Sequence, residues 1–179
     1  QRSLADAIGQ LIAHGQNLEN GKIRKGTIIS EEDVSKLQIA NIKKITCAIP
    51  EAGDVNENIA ASRLASALDT SGIRKDSAAT GRVNFYAKKT GLIRYDFDLI
   101  RKFNSIDEAI TLALVPHNQL LAKNNMAATL KIIPFFVKEQ ALKHAEDLLS
   151  EFGGFDFFPL SSRKVWLIQT RLTGQKDRL

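Results

Sequence analysis

Apolar positions recur along this chain in short bursts, and the polar residues between them carry the start and stop signals that assign each burst to an element. The densest succession runs from Lys25 to Leu68. Ser30, followed by Glu31, Glu32 and Asp33, reads as an N-cap with acids in the first helical turn, and Val34 and Leu37 give that helix one apolar stripe. Lys43 to Ile49 alternates as a strand that Pro50 stops. Gly53-Asp54 marks a turn, after which Ile59, Ala60, Leu64, Ala67 and Leu68 fall at helical spacing. Upstream, Leu11 to Ala13 predicts a short strand ending at Gly15. Asn20-Gly21 predicts a tight turn that returns Lys22 and Ile23 as a hairpin partner.

Downstream the pattern changes from helical to alternating. Asp69 to Thr80 is rich in Asp, Ser, Thr, Gly and Ala and reads as a linker. Val83 to Lys88 and Leu92 to Tyr95 predict two strands joined as a hairpin around Thr90-Gly91. Asp96 to Phe103 reads as a short helix, and Ile106 to Ala113 suits either helix or strand. Asn124-Asn125 is a turn before the apolar strand Ala127 to Ile133, which Pro134 ends. From Val137, the residues Ala141, Leu142, Ala145, Leu148, Leu149 and Phe152 form the stripe of a helix that Gly153-Gly154 terminates. Phe155 to Leu160 predicts a further strand. Val165 to Thr170 is almost continuously apolar, as in a strand covered on both faces. Such a strand needs a crossover and a parallel partner, so the pattern predicts the start of another α/β domain continuing beyond Leu179.

The expected architecture is therefore α+β, with two small subdomains of mixed sheet and packed helices. Residues 1–70 form an N-terminal α/β subdomain, 71–80 a linker, 81–162 a second α+β subdomain, and 163–179 the truncated start of a further domain. A hydrophobic share of 44% with 25% charged residues is an ordinary globular balance. No apolar run approaches the roughly 20 residues of a membrane span, so no membrane partner is expected. The lone Cys47 excludes an internal disulfide and predicts a reducing, cytoplasmic setting.

The net charge of +5 is spread over several small basic clusters, which read first as solvated charge. No GxxG loop, basic helix or set of sheet aromatics accompanies them, so the expected partner is an anionic small molecule rather than nucleic acid. His14, His117 and His144 lie far apart without ligand-spaced neighbours, so no metal site is expected. Cys47 lacks a neighbouring base. Asp54 and Glu57 flank a helix start, where acids act chiefly by stabilising the dipole. No catalytic motif is present, which leaves the catalytic residues unknown and the question of enzymatic activity open. The stretch Gly81 to Leu92, GRVNFYAKKTGL, is the more suggestive cluster. Arg82 offers two parallel donors to a phosphate, Asn84 a donor and an acceptor, and Lys131 places a charge inside the apolar run TLKIIP. These three are the candidate ligand-binding residues, against the alternative of a half-exposed edge strand.

At this point a resemblance enters. KGTIISEEDVSKLQIANIKKITCAIP, Lys25 to Pro50, resembles the segment of the molybdopterin molybdotransferase (MoeA) family that leads into its molybdopterin-binding domain. The turn Ala52 to Val55, the GRVN strand Gly81 to Asn84, Ser105 to Ala113 and LKIIPF, Leu130 to Phe135, are similar to bacterial molybdopterin-binding proteins, some fused to a MobA-like nucleotidyltransferase. The resemblance implies the N-terminal supporting region of a protein of molybdenum-cofactor biosynthesis, with molybdopterin as its ligand. It implies that Val165 to Thr170 enters a MogA-like domain beyond Leu179. That domain binds the pterin, and no catalytic residue carries over to this chain. Two alternatives stand beside it: a scaffold or dimerisation module forming a homo-oligomer, and a β-clip module of a sugar-acid dehydratase-like enzyme, which expects a small barrel in Leu11 to Ile49.

Overall fold

The structure, a computed structural model, describes residues 1–19, 21–68, 71–168 and 170. It is an α+β fold in which every strand pairing among the described residues is antiparallel, where mixed sheets were expected.

The first 48 residues build a small lobe from β1 (Arg2–Ser3), β2 (Leu11–Ile12), β3 (Gln16–Leu18), β4 (Gly21–Ile23), α1 (Glu31–Ile39), β5 (Lys44–Ile45) and β6 (Cys47–Ala48). Three two-stranded pairs, β1 with β5, β2 with β6 and β3 with β4, surround a cluster of Leu4, Ile12, Ile23, Ile29, Leu37 and Ile45. Helix α1 starts where the sequence places it, because the Ser30 hydroxyl accepts from the Asp33 N–H and the Asp33 carboxylate accepts from the Ser30 N–H. Hydrogen bonding to Ser30 lowers the Asp33 pKa. Lys22 and Ile23 do return as a hairpin strand, but against Gln16–Leu18, since Leu11 and Ile12 pair with β6; Gly21 already lies in β4, and Asn20 is outside the described residues.

The larger body begins at β7 (Asp54–Asn56) and α2 (Glu57–Ala67), followed by β8 (Ile73–Lys75), β9 (Arg82–Ala87), β10 (Gly91–Arg94), α3 (Phe97–Asn104), β11 (Ile110–Leu114), β12 (Leu120–Leu121), β13 (Met126–Ile132), β14 (Phe136–Lys138), α4 (Glu139–Phe152) and β15 (Asp156–Pro159). A four-stranded sheet runs in the order β11-β13-β9-β8, and a three-stranded sheet in the order β12-β10-β15. Alternation along β9 sends Val83, Phe85 and Ala87 inward and Arg82, Asn84 and Tyr86 outward. Helix α2 covers the inner face with Ala60, Ala61 and Leu64, whose small residues allow close approach, and α4 adds Leu142, Ala145 and Leu149. Arg63 ties the two helices together, donating to both Glu139 and Glu146 at 2.7–2.8 Å. These bonds raise the Arg63 pKa and lower that of Glu139.

Three expectations are corrected. The apolar clusters divide the chain between Cys47 and Val55, so α2 belongs to the second body, and the supposed linker contains β8, paired with β9. Asp69 and Thr70, within that segment, lie outside the described residues. The Thr90-Gly91 hairpin does not form. Strand β9 pairs with β8 and β13, while β10 passes to the other sheet, and Gly91 lets β15 approach so closely that a Cβ there would meet the Phe158 carbonyl oxygen at 2.5 Å. Finally, Val165 to Ile168 has no regular structure and is exposed, so the expected strand is absent from these residues. Gln169 and residues 171–179 lie outside the described residues.

Candidate functional site

A two-residue turn opens the site. Ala79 and Arg82 exchange both backbone hydrogen bonds at 3.0 Å, leaving Thr80 and Gly81 between them at φ of 49° and 68°. Two positive φ angles in a row define the primed hairpin turn, which suits Gly but strains a β-branched residue such as Thr80. The turn sets Arg82 at the start of β9, directly opposite Lys131 on β13, and two residues later sets Asn84 opposite Thr129. The three residues chosen from sequence therefore share the outer face of one strand pair.

Each has a different state. Arg82 is exposed, and among the described residues it has no ion pair. Asn84 accepts a hydrogen bond from the Thr129 hydroxyl at 2.7 Å. Lys131 is half-buried and reaches round the end of the sheet, donating to the Thr80 carbonyl and standing 3.7 Å from a Glu57 carboxylate oxygen. Burial holds the Lys131 ammonium below the usual lysine range. Glu57 opposes that shift, and the positive charges of Arg82 and Lys25 add to it.

Glu57 is the residue that local sequence reasoning undervalued. It opens α2, as a dipole-stabilising acid should, yet Asn56 is the cap, accepting from the Asn58 N–H at 2.9 Å. The Glu57 side chain instead turns inward, and the residue is only 8% exposed, the one buried charged residue among those described. Its backbone N–H donates to the Phe135 carbonyl at 2.8 Å. The next residue, Asn58, accepts from the Gly81 N–H at 2.8 Å through its side chain. The Lys25 ammonium lies 4.9 Å from the centre of the Phe135 ring, bringing the small lobe to the same corner. Asp54, by contrast, is held by Lys138 at 2.8 Å. That hydrogen bond, followed by the Glu51 N–H, lowers its pKa, so Asp54 and Glu57 do not act as a carboxylate pair.

Five segments thus converge: Lys25, Glu57 and Asn58, Thr80 to Asn84, Thr129 to Lys131, and Phe135. Lys131 faces the Glu57 carboxylate at 3.7 Å, and Arg82 and Lys25 stand near enough to Lys131 to act on its charge, so the corner sums to +3 − 1 = +2. Such an arrangement attracts an anion rather than a metal ion. His117 serves the other end of the body, its Nδ1 accepting from the Tyr95 N–H at 3.3 Å. Burial raises the Cys47 thiol pKa, consistent with an inert thiol. No group of His, Cys, Asp and Glu among the described residues is placed to hold a metal, and no described helix is long and apolar enough to cross a membrane.

No protein-family model, curated protein or solved structure matches the chain.

Proposed function

We propose that this chain is the supporting N-terminal region of a molybdenum-cofactor biosynthesis or molybdopterin-binding protein, and that its corner at Lys25, Arg82 and Lys131 receives the phosphate of the pterin. One observation carries the reading: the half-buried Lys131, paired at 3.7 Å with the single buried carboxylate of Glu57 beside a strained turn, also feels the positive charges of Arg82 and Lys25. A phosphate monoester carries about −1.5 to −2 at neutral pH, close to what the corner lacks. Arg82 supplies the exposed bidentate donor. Lys131 adds charge from a desolvated position, and Asn84 and Thr129 offer polar contacts further along the same face. The ring of Phe135 supplies an apolar flank. The sequence resemblance to molybdopterin-binding proteins supplies the pterin part of the reading, and the geometry supports the anion.

Isothermal titration with molybdopterin, and with inorganic phosphate and pyrophosphate as simpler probes, tests it. Binding should weaken about tenfold or more in Arg82→Ala and fall as salt rises. The negative charge of an anion beside Lys131 raises the ammonium's pKa against the burial that lowers it, so binding near the upper end of the working pH range should take up protons, seen as a dependence of the heat on buffer ionisation. Binding by the pterin that is indifferent to Arg82→Ala and Lys25→Ala would remove the corner from the site. Absence of binding by any of the three ligands at low salt would reject the function.

A further inference from the structure

Lys131 is set apart from the other lysines that meet a carboxylate. Lys36 with Glu32, and Lys138 with Glu51 and Asp54, form surface ion pairs at 2.7–2.8 Å that hold both ammonium groups above the usual lysine range. Lys131 stands 3.7 Å from Glu57, too far for a direct charge-assisted hydrogen bond, and its amine is oriented by donating to the Thr80 carbonyl. Its side chain is still 25% exposed, enough for a reagent to reach the nitrogen. Burial leaves it a larger fraction of neutral amine than an exposed lysine has. In that form one N–H still reaches Thr80, and the nitrogen lone pair is left for an electrophile.

We infer that Lys131 is a modification site that takes the acyl group of an acyl phosphate, and that acylation switches off anion binding at this corner. The inference rests on the reading of the corner as a phosphate site. Arg82 is exposed and stands directly opposite Lys131 across β9 and β13, where facing residues lie about 5 Å apart. In an acyl phosphate the electrophilic carbon is joined to phosphorus through one oxygen. A phosphoryl group held by Arg82 therefore brings that carbon to the neighbouring amine. The bound negative charge draws protons back to Lys131, so the gain is one of proximity rather than basicity.

The step balances without another reactant. The neutral Lys131 Nζ attacks the acyl carbon and forms the N–C bond, and the cationic nitrogen of the adduct passes a proton to the Glu57 carboxylate. The C–O bond to phosphate then breaks, and the departing phosphate takes up that proton. Amine and acyl phosphate become amide and hydrogen phosphate. Because the amide is uncharged, the corner falls from +3 − 1 = +2 to +2 − 1 = +1. Glu57 loses its counter-charge at the same time and repels an incoming anion.

Peptide mass spectrometry of the 179-residue chain incubated with acetyl phosphate tests this. Lys131 should be acetylated at least about tenfold faster than the exposed Lys88 and Lys89. Inorganic phosphate should slow the reaction at Lys131 alone, and Arg82→Ala should lower that rate about tenfold without changing the other two. With an uncharged donor, N-hydroxysuccinimidyl acetate, the dependence on Arg82 should vanish. Calorimetric titration with inorganic phosphate should show binding at least about tenfold weaker in protein acetylated at Lys131, with circular dichroism unchanged. Acetylation of Lys131 no faster than that of Lys88 and Lys89 overturns the inference; if the same protein still binds phosphate through Arg82, the phosphate reading stands without it. Absence of phosphate binding rejects both. Preferential acetylation that ignores Arg82→Ala and added phosphate overturns the inference, as does undiminished phosphate binding after acetylation.

Discussion

Gly81→Ala is the sharpest probe of the corner, because the structure predicts a cost in two separable parts. The first is conformational. Gly81 has φ of +68°, and a residue with a Cβ in the left-handed region costs about 1–2 kcal/mol. The second is crowding. A Cβ at this position would stand 2.5 Å from the Glu57 carboxylate, 2.7 Å from the Ile132 carbonyl oxygen and 3.0 Å from the Lys131 ammonium. The Ile132 carbonyl belongs to the backbone at the end of β13, and the Ile132 N–H is bonded to the Gly81 carbonyl at 2.7 Å, so neither partner is free to withdraw. Forcing atoms into so tight a space adds about 1–3 kcal/mol, for a total near 2–5 kcal/mol. Gly53→Ala is the control. Its φ of +80° carries the same conformational cost, but nothing lies within 4 Å of the added carbon. The two variants should therefore differ by about 2 kcal/mol, or about 4–8 °C in Tm for a chain of this size. Urea denaturation with unchanged slope checks that the native state alone has shifted. Equal midpoints for Gly81→Ala and Gly53→Ala would mean that the corner is not packed as described. Gly81→Ala should also weaken phosphate binding, since the added carbon displaces Lys131.

Three further outcomes follow from the same contacts. Lys131→Met leaves Glu57 buried beside Gly81 without its counter-charge and should cost about 1–3 kcal/mol, discounted for the partial exposure of the lysine. Adding Glu57→Gln should recover part of the loss, and a double-mutant cycle showing strict additivity would deny the coupling. Arg63 depresses the pKa of Glu139 below its ordinary value of 4.5. A depressed carboxylate stabilises the fold above its unfolded pKa and loses that contribution as pH falls through the folded one, so Arg63→Met should flatten the decline in stability below about pH 4.5. Chemical unfolding at pH 7 and pH 3.5 compares the two slopes. Phe85 is fully buried and meets the Phe155 ring edge-on at 5.7 Å, so Phe85→Ala should cost about 3–5 kcal/mol in urea denaturation.

What could be read from sequence was what neighbours along the chain determine. The Ser30 cap with Asp33, the Asp96 start of α3 and the stripe of α4 depend on residues within a few positions, and all three stand where the pattern placed them. The errors arose where a partner is chosen at long range. Lys88 to Gly91 has the composition of a hairpin turn, but whether β9 and β10 pair depends on competition from β8, β13, β12 and β15, which no local window contains. Strand β8 was hidden because Ile73 is the only large apolar residue between Ser71 and Thr80, and its pairing with Ala87 settles its state. The Lys75 ammonium even bonds back to the carbonyl of Ala65 at 2.8 Å, anchoring the strand to α2.

The corner shows the same division in one place. Arg82, Asn84 and Lys131 were legible because period-two alternation puts Arg82 and Asn84 on one face, and a lysine within an apolar run stands out against it. Lys25, Glu57 and Asn58 were not, since nothing near Glu57 in the sequence distinguishes an acid at a helix start that faces water from one that turns inward. Only the crossing of α2 over the end of β9 and β13 makes that distinction. Two local rules are broken at this corner, a β-branched residue at positive φ in Thr80 and a charge taken out of water in Glu57, and they meet at Gly81. Neither departure helps the fold by itself: the first strains the backbone and the second costs desolvation. Sequences keep such departures where something besides stability depends on them, and this pair stands where three cations gather. That coincidence is what favours this corner over the wider basic surface as the proposed anion site.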